Sequence, residues 1–480
     1  MKKYLLLTTI TIWCACTLMA KVTLPSLISD GMVLQQQADA RLWGWAEPGE
    51  SINVSTSWGE NAKATTGKDG RWQLSIRTPK ASYDVQTLRI NDVELSLLIG
   101  EVWLATGQSN MEMPLKGFGG ACVKDGFRDA MNAKTEAPYV RMYNVERKQT
   151  FTPQDKCNGK WLTPVFENAL EYSATAYYFA SSLSNALGVP VGIVNCSYGG
   201  TRVESWTSAE VCRQYPDIPQ DSISVYNFSQ WAFERPIVTY NAMFLPVCGY
   251  TYKGIVWYQG CGNVSTSSTY AERLKNMVAL WRSKLNLGEI PFYQVQIAPY
   301  AYEGDGSGIG GALLREQQYK ACSIIPNCDI VCTNDLVEPY ERHNIHPQEK
   351  RKVGMRLSLV ALNKTYGMKD LACSGPRFDE NSFTVKGDTA IVGFHTNQYG
   401  VCRNYDIKGF EIAGEDKVFY TADTEFHWQN NTVRLTSPKV PHPVAVRYAY
   451  RNFPEETNVV TQLGLPLPSF RTDDWEMDDL

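Results

Sequence analysis

The chain has 480 residues, 44% hydrophobic and 20% charged, with a formal net charge of −4 at pH 7. That length calls for two or three domains, and the balance is that of a folded globular protein rather than a disordered or fibrous one. No basic run is present, which argues against a nucleic-acid partner.

The first twenty residues form a separate object. Lys2 and Lys3 precede a mostly apolar run from Leu5 to Leu18, and Ala20 offers a small residue at a cleavage site. This pattern predicts a secretory signal over residues 1–20, too short and too poorly flanked to be a membrane span. No later segment has the ~20 unbroken apolar residues of a spanning helix. The mature protein is therefore expected to be exported, periplasmic or extracellular, and soluble. Losing Lys2 and Lys3 takes the formal charge from −4 to −6, and losing Cys14 and Cys16 leaves eleven of the thirteen cysteines. No C-x-x-C pair occurs and the five histidines are scattered, so no zinc site is expected. An oxidising compartment permits disulfides. Cys122 with Cys157, or Cys322 with Cys328 or Cys332, are the candidate pairs.

Residues 21–97 read as a small β-sandwich. Short apolar stretches (Met32 to Leu34, Arg41 to Ala46, Ser51 to Ser57, Trp72 to Ile76, Thr87 to Ile90) alternate with turn signals such as Asp30-Gly31, Glu47-Pro48-Gly49 and Asp69-Gly70. Residues 98–364 alternate strands with helices. Buried-type strands are predicted at Val102 to Thr106, Val189 to Cys196, Gly254 to Tyr258, Phe292 to Ala298 and Asp329 to Thr333. Ala176, Phe179, Ala180, Leu183 and Leu187 share one helical face, with Gly188 as its stop. Leu274 to Leu285 and Val353 to Ala361 repeat the pattern. Strand–helix alternation implies an α/β domain with a mostly parallel sheet covered on both sides. Residues 365–480 return to short strands and turns, either as a third β unit or as part of the first.

Four segments follow predicted strands and so gather at one sheet edge, where ligands bind in open α/β sheets. The first is Gly107-Gln108-Ser109-Asn110-Met111. Ser109 is a candidate nucleophile, or the cap of the next helix. The second, Asn195 to Thr201, carries Gly199-Gly200, whose amides can approach a substrate oxygen. The third, Trp257 to Asn263, offers the Asn263 side chain to the same oxygen, or to a turn. The fourth, His343-Asn344-Ile345-His346-Pro347, opens the last helix. Pro347 suits its first turn, and the positive helix end would keep His346 neutral, as a general base must be.

In this order the segments resemble the sialate O-acetylesterase branch of the SGNH (GDSL-like) hydrolases, a family named for its Ser, Gly, Asn and His blocks. The resemblance runs over nearly the whole mature chain. It includes Asp30 to Gln35, Trp43 to Gly49, Gly107 to Met111, Gly199-Gly200-Thr201 with Glu204-Ser205-Trp206, and Trp257 to Gly260. Leu314-Arg315-Glu316-Gln317-Gln318 and Ile345-His346-Pro347 complete it. It implies a flavodoxin-like SGNH-hydrolase α/β/α sandwich flanked by the β-rich regions. It also implies an esterase acting on O-acetylated sugars, without metal or organic cofactor. In the implied mechanism His346 activates Ser109. The Ser109 amide, a Gly199 or Gly200 amide and Asn263 form the oxyanion hole, and Gln108, Gln259 and Arg315 are candidate substrate contacts. Two departures stand out. Many relatives carry aspartate two residues before the histidine, where this chain has Asn344. An Asn carbonyl can still fix the imidazole tautomer, or Asp335, Glu338 or Glu341 takes the task, with Asp335 favoured because it ends a strand. Cys261-Gly262 stands where relatives commonly have Glu-Ser. Acetylated xylan or pectin rival sialic acid as substrate, and a non-catalytic carbohydrate-binding protein is the competing reading. The stretch Glu303 to Gly311 reads as a lid, a specificity loop or an ordinary surface loop. Oligomeric state is not legible.

Overall fold

The protein is described here by a computed structural model covering residues 22–219, 223 and 232–475. The expected signal over residues 1–20 lies outside the described residues. The organising element is the 15-residue strand Val93–Gly107. Its first half pairs antiparallel with Ser82–Ile90 and, at Leu98 to Gly100, parallel with Val33–Gln35. Its second half enters a parallel sheet between Val191–Ser197 and Gly254–Tyr258. The boundary expected at residue 98 therefore falls inside one continuous strand. Burial alternates over Val93 to Ser96 and is complete from Leu97 onward, as expected where a one-sided sheet gives way to a sheet covered on both faces.

Across the parallel part the order is Cys328–Val331, Phe292–Val295, Gly254–Tyr258, Val93–Gly107, Val191–Ser197 and Val140–Asn144. The strand Val140–Asn144 was not foreseen. It lies outside Val191–Ser197 and carries the two-residue antiparallel edge Trp161–Leu162. Successive residues of the central strand enter two different cores. Val102 and Leu104 join Trp257, Met277, Trp281 and Leu314, which come partly from the helices Tyr270–Leu285 and Gly310–Ile324. Trp103 and Ala105 join Ala133, Phe179, Leu183 and Leu357, from the helices Gly126–Glu136, Ala174–Leu187 and Arg351–Lys364. The period of two along the strand thus feeds helices on both faces.

The first core runs without a break into the N-terminal β unit through Val33, Leu42, Trp72 and Ile76. The C-terminal β unit is separate. It pairs only its own strands, in a five-stranded and a four-stranded sheet, around Val392, Phe410, Ile412, Val433 and Tyr448. Of the two arrangements left open by the sequence, it is the third unit.

Candidate active site

The central strand ends at Gly107, whose φ of +136° and whose approach to Tyr258 (a Cβ would lie 2.2 Å from its carbonyl oxygen) admit only glycine. The chain then turns into the short helix Ser109–Glu112. Gln108, not Ser109, is its N-cap, and no side chain caps it, so the capping role considered for Ser109 is not the one the structure gives it. Gln108 and Asn110 are buried while Ser109 is half-buried between them. This serine sits where the chain leaves the central strand with neighbours to either side, the crossover at which doubly wound sheets bind ligands.

Gly199 packs against it. A Cβ there would lie 3.2 Å from Ser109 Cβ and 3.3 Å from Glu112 Oε2. The Gly199 amide donates to Glu112 Oε2 at 2.6 Å, and so is not the free oxyanion donor expected of it. The Ser109 amide, first in its helix, has no intrahelical partner, and the Gly200 amide donates to no protein atom among the described residues. Glu112, which the sequence reading passed over, also pairs with Arg147 at 3.0 Å, and burial pushes its carboxyl up from the usual range. The Ser109-x-x-Glu112 spacing was its only sequence signal.

Asn263 departs further from expectation. It is 1% exposed. Its Nδ2 donates to Glu204 at 3.0 Å and to Thr266 at 3.4 Å, and its Oδ1 accepts from Val203 N and Gln259 Nε2. The Glu204 carboxylate is in turn bound by Arg273, which also reaches Asp217. Both ends of the Asn263 amide are therefore committed to a buried network, and it presents no donor to the site.

Of the candidate substrate contacts, Gln259 and Arg315 need the same correction, while Gln108 commits only its Oε1. Gln108 Oε1 accepts from Gly260 N at 2.8 Å. Gln259 is fully buried and donates to Thr201 O and Asn263 Oδ1 while accepting from Tyr270. Arg315 is fully buried and donates to the backbone carbonyls of Ala449, Arg451 and Asn452. A sequence shows that a polar side chain is present, not whether its partner is substrate or backbone.

His346 is brought to the same edge. Asn110 Nδ2 donates to Ile345 O at 2.9 Å, and Lys350 Nζ donates to Asn110 Oδ1 at 2.5 Å. The residue after the serine thus holds the residue before the histidine. No hydrogen bond joins Ser109 Oγ to His346 among the described residues, and catalytic hydrogen bonds commonly close only with substrate bound. The ring of Phe118 stands edge-on to the imidazole at 5.2 Å. Burial, then the nearby Lys350 charge, brings the His346 pKa down to about 4. The expected helix-end effect is not the cause, because the helix starts at Arg351. Asn344 spends its carbonyl on the His346 backbone amide at 3.0 Å. Asp335 is held by Arg356 through two hydrogen bonds of 2.7 and 2.6 Å. Glu341 is buried under the loop, accepting from Gln348 N, and Glu338 caps the short turn Pro339–Glu341. None of these four bonds the imidazole ring.

The stretch Glu303 to Gly311 is tied down through Asp305, which accepts from Ser307, Gly310 N and Asn452. Among the described residues no group of three or more His, Cys, Asp or Glu side chains is placed to hold a metal ion, and no helix is long and apolar enough to cross a membrane.

Comparison with known proteins agrees with this assembly. The family described as carbohydrate esterase, sialic acid-specific acetylesterase, matches residues 99–363. The human sialate O-acetylesterase is 29% identical over 73% of this chain and 72% of its own length. The mouse sialate O-acetylesterase is 26% identical over 93% of both chains. A solved carbohydrate acetylesterase from Xanthomonas citri superposes with a TM-score of 0.83 at 31% identity, covering 95% of this chain and 100% of that one. On these grounds, with the family match spanning the whole strand–helix region that carries Ser109 and His346, the chain belongs to the sialic acid-specific acetylesterase family of carbohydrate esterases and is a carboxylic ester hydrolase.

Proposed function

We propose that this protein is an exported carbohydrate O-acetylesterase that removes acetyl groups from sialic acids by Ser109–His346 nucleophilic catalysis on a flavodoxin-like SGNH α/β/α sandwich. The observation that carries the reading is the Asn110 bridge, which fixes the histidine loop beside the nucleophile helix at the crossover of the sheet. The strand order supports the fold: leaving aside Val140–Asn144, the parallel strands run 2-1-3-4-5 in chain order. Export rests on the n-region and apolar run within residues 1–20.

In the proposed reaction the neutral His346 takes the Ser109 hydroxyl proton as Oγ attacks the acetyl carbonyl carbon. The tetrahedral oxyanion is met by the Ser109 and Gly200 amides. The sugar oxygen leaves with the proton from His346, and a water molecule activated by the same imidazole releases acetate and restores Ser109. Among the described residues no carboxylate bonds the imidazole, which favours a dyad in which Asn344 and Asn110 shape the loop rather than the ring.

The test is acetate release from O-acetylated sialic acids and from acetylated xylan and pectin oligosaccharides. Wild type should release acetate from the sialic acids, and Ser109→Ala and His346→Ala should each lose on the order of 10³-fold or more in turnover. Equal background rates in all three proteins would leave only a carbohydrate-binding role. Preference for the plant oligosaccharides would keep the chemistry and change the substrate.

A further inference from the structure

Cys322 and Cys328 lie at opposite ends of one tight connection. Cys322 is in the last turn of the helix Gly310–Ile324, and Cys328 opens the edge strand Cys328–Val331. Between them Asn327 takes a left-handed φ of +49°, which folds the chain back on itself. The two sulfur atoms stand 3.1 Å apart, and both receive the Gln294 amide, at 3.0 Å to Cys322 and 4.0 Å to Cys328. Among the described residues no other thiol competes at this place. Cys332 is turned to Leu467 O, Cys157 to Tyr143, and Cys122 to Gln348, so the Cys122–Cys157 and Cys322–Cys332 pairs considered from the sequence are not assembled.

We infer that Cys322 and Cys328 are a disulfide site, closing under oxidising conditions into a covalent staple between the helix and the sheet edge. A bond of about 2.05 Å needs the sulfurs to approach by roughly 1 Å, within the reach of side-chain rotation once the backbone has already brought them together. The reaction is thiol–disulfide exchange with a low-molecular-weight disulfide such as oxidised glutathione. One cysteine thiolate attacks it and releases one glutathione thiol. The second cysteine thiolate then displaces the other, so the protein gives up two protons and two electrons and two reduced glutathione thiols leave. The proton shared with Cys322, and then burial, hold the Cys328 thiol well above its ordinary pKa, so closure is slow near neutrality and speeds up in alkali.

The helix being stapled has a structural task. Gln318, one turn before Cys322, donates to Gln259 O and accepts from Ile297 N, and Arg315 and Glu316 hold the C-terminal β unit. The staple therefore secures the support behind the Gln259 loop, and because Cys328 opens its strand while Ser109 follows the end of a parallel one, at the opposite sheet edge, it should leave the hydrolytic step unchanged.

The test uses the full chain purified reduced, then equilibrated in oxidised or reduced glutathione, quenched by alkylation in denaturant, and cleaved before Asp329 so that Cys332 falls in a separate fragment. The oxidised sample should yield a fragment with Cys322 and Cys328 unalkylated and lighter by two hydrogens than the unalkylated dithiol. Its melting temperature should rise by on the order of 2 °C over the reduced form. Cys322→Ser should remove this response to oxidant. Full alkylation of both cysteines after oxidation, linkage to Cys332, or an unchanged response in Cys322→Ser would each overturn the assignment.

Discussion

At the scale of single residues, the site shows how the same side chain can serve chemistry or scaffolding with no change in the sequence signal. Asn263 holds Val203 N, Gln259 and Glu204 at once in a space closed to water. Asn263→Ala leaves the buried Glu204 short of a donor and the Val203 amide without an acceptor. Each such orphan costs about 1–3 kcal/mol, so the variant should melt several degrees lower, with activity falling as a consequence. Calorimetry beside kinetics separates this from the alternative: an unshifted melting temperature with turnover down by about 10²–10³ would restore Asn263 to the oxyanion hole. That the segments of Ser109 and His346 meet at one sheet edge was legible because a strand end and a proline mark where a chain turns. Arg315 and Gln259 were misread because guanidinium and amide groups bond a backbone carbonyl as readily as a sugar hydroxyl.

At the scale of elements, the short helix Ser109–Glu112 and the loop carrying His346 are locked through Asn110, whose two ends engage Lys350 and Ile345. Lys350 is almost fully buried, and burial brings its pKa down to about 7 against an ordinary 10.5, with Glu341, Cys261 and Glu349 pulling the other way. The sign of the linkage follows. Between about pH 7 and pH 10.5 the unfolded chain holds a proton on Lys350 that the folded chain has released, so this residue makes stability rise with pH across that window. Lys350→Met should abolish that rise in melting temperature. It should also move the acid limb of kcat/KM to higher pH, because His346 loses a nearby positive charge that helps hold its pKa at about 4. A variant with the same acid limb and the same stability profile as wild type would show that Lys350 is inert. Little of this relay was visible beforehand. Pro347 promised a helix start at once, whereas the Asn344 turn and the burial of Lys350 delay it to Arg351. Gly254–Tyr258, by contrast, occupies the limits read from its continuous apolar run. The same kind of run misled at Val93–Gly107, because a fully buried strand reads alike in a sandwich and in a parallel sheet.

At the scale of the whole molecule, arginines that address backbone carbonyls help join the three units, beside ion pairs such as Arg471–Glu316. Arg41 of the N-terminal unit donates to the carbonyls of Leu285, Tyr250 and Cys248. Arg315 of the central unit donates to those of Ala449, Arg451 and Asn452, and the adjacent Glu316 accepts from Tyr450 and Arg471. Within the block Leu314 to Gln318, Arg315 and Glu316 therefore serve domain docking. The separateness of the C-terminal unit could not be read from its strands, since short alternating strands look the same wherever they pack; the information lies in which core they fill. Among the described residues Arg315 has no acidic partner and its Nε is without a hydrogen bond, so desolvation lowers its pKa and its contribution comes from the carbonyls it satisfies. Arg315→Ala leaves those carbonyls unpaired beside a cavity, at a cost of about 2–5 kcal/mol. The N-terminal and central units share one strand and one continuous core, so they should melt together. The C-terminal unit has its own core and loses a buried tie, so the calorimetric trace of Arg315→Ala should split, with an early transition assigned to residues 365–475 by limited proteolysis. A single transition at the wild-type temperature would show that Glu316 and Asn452 suffice to hold the units together.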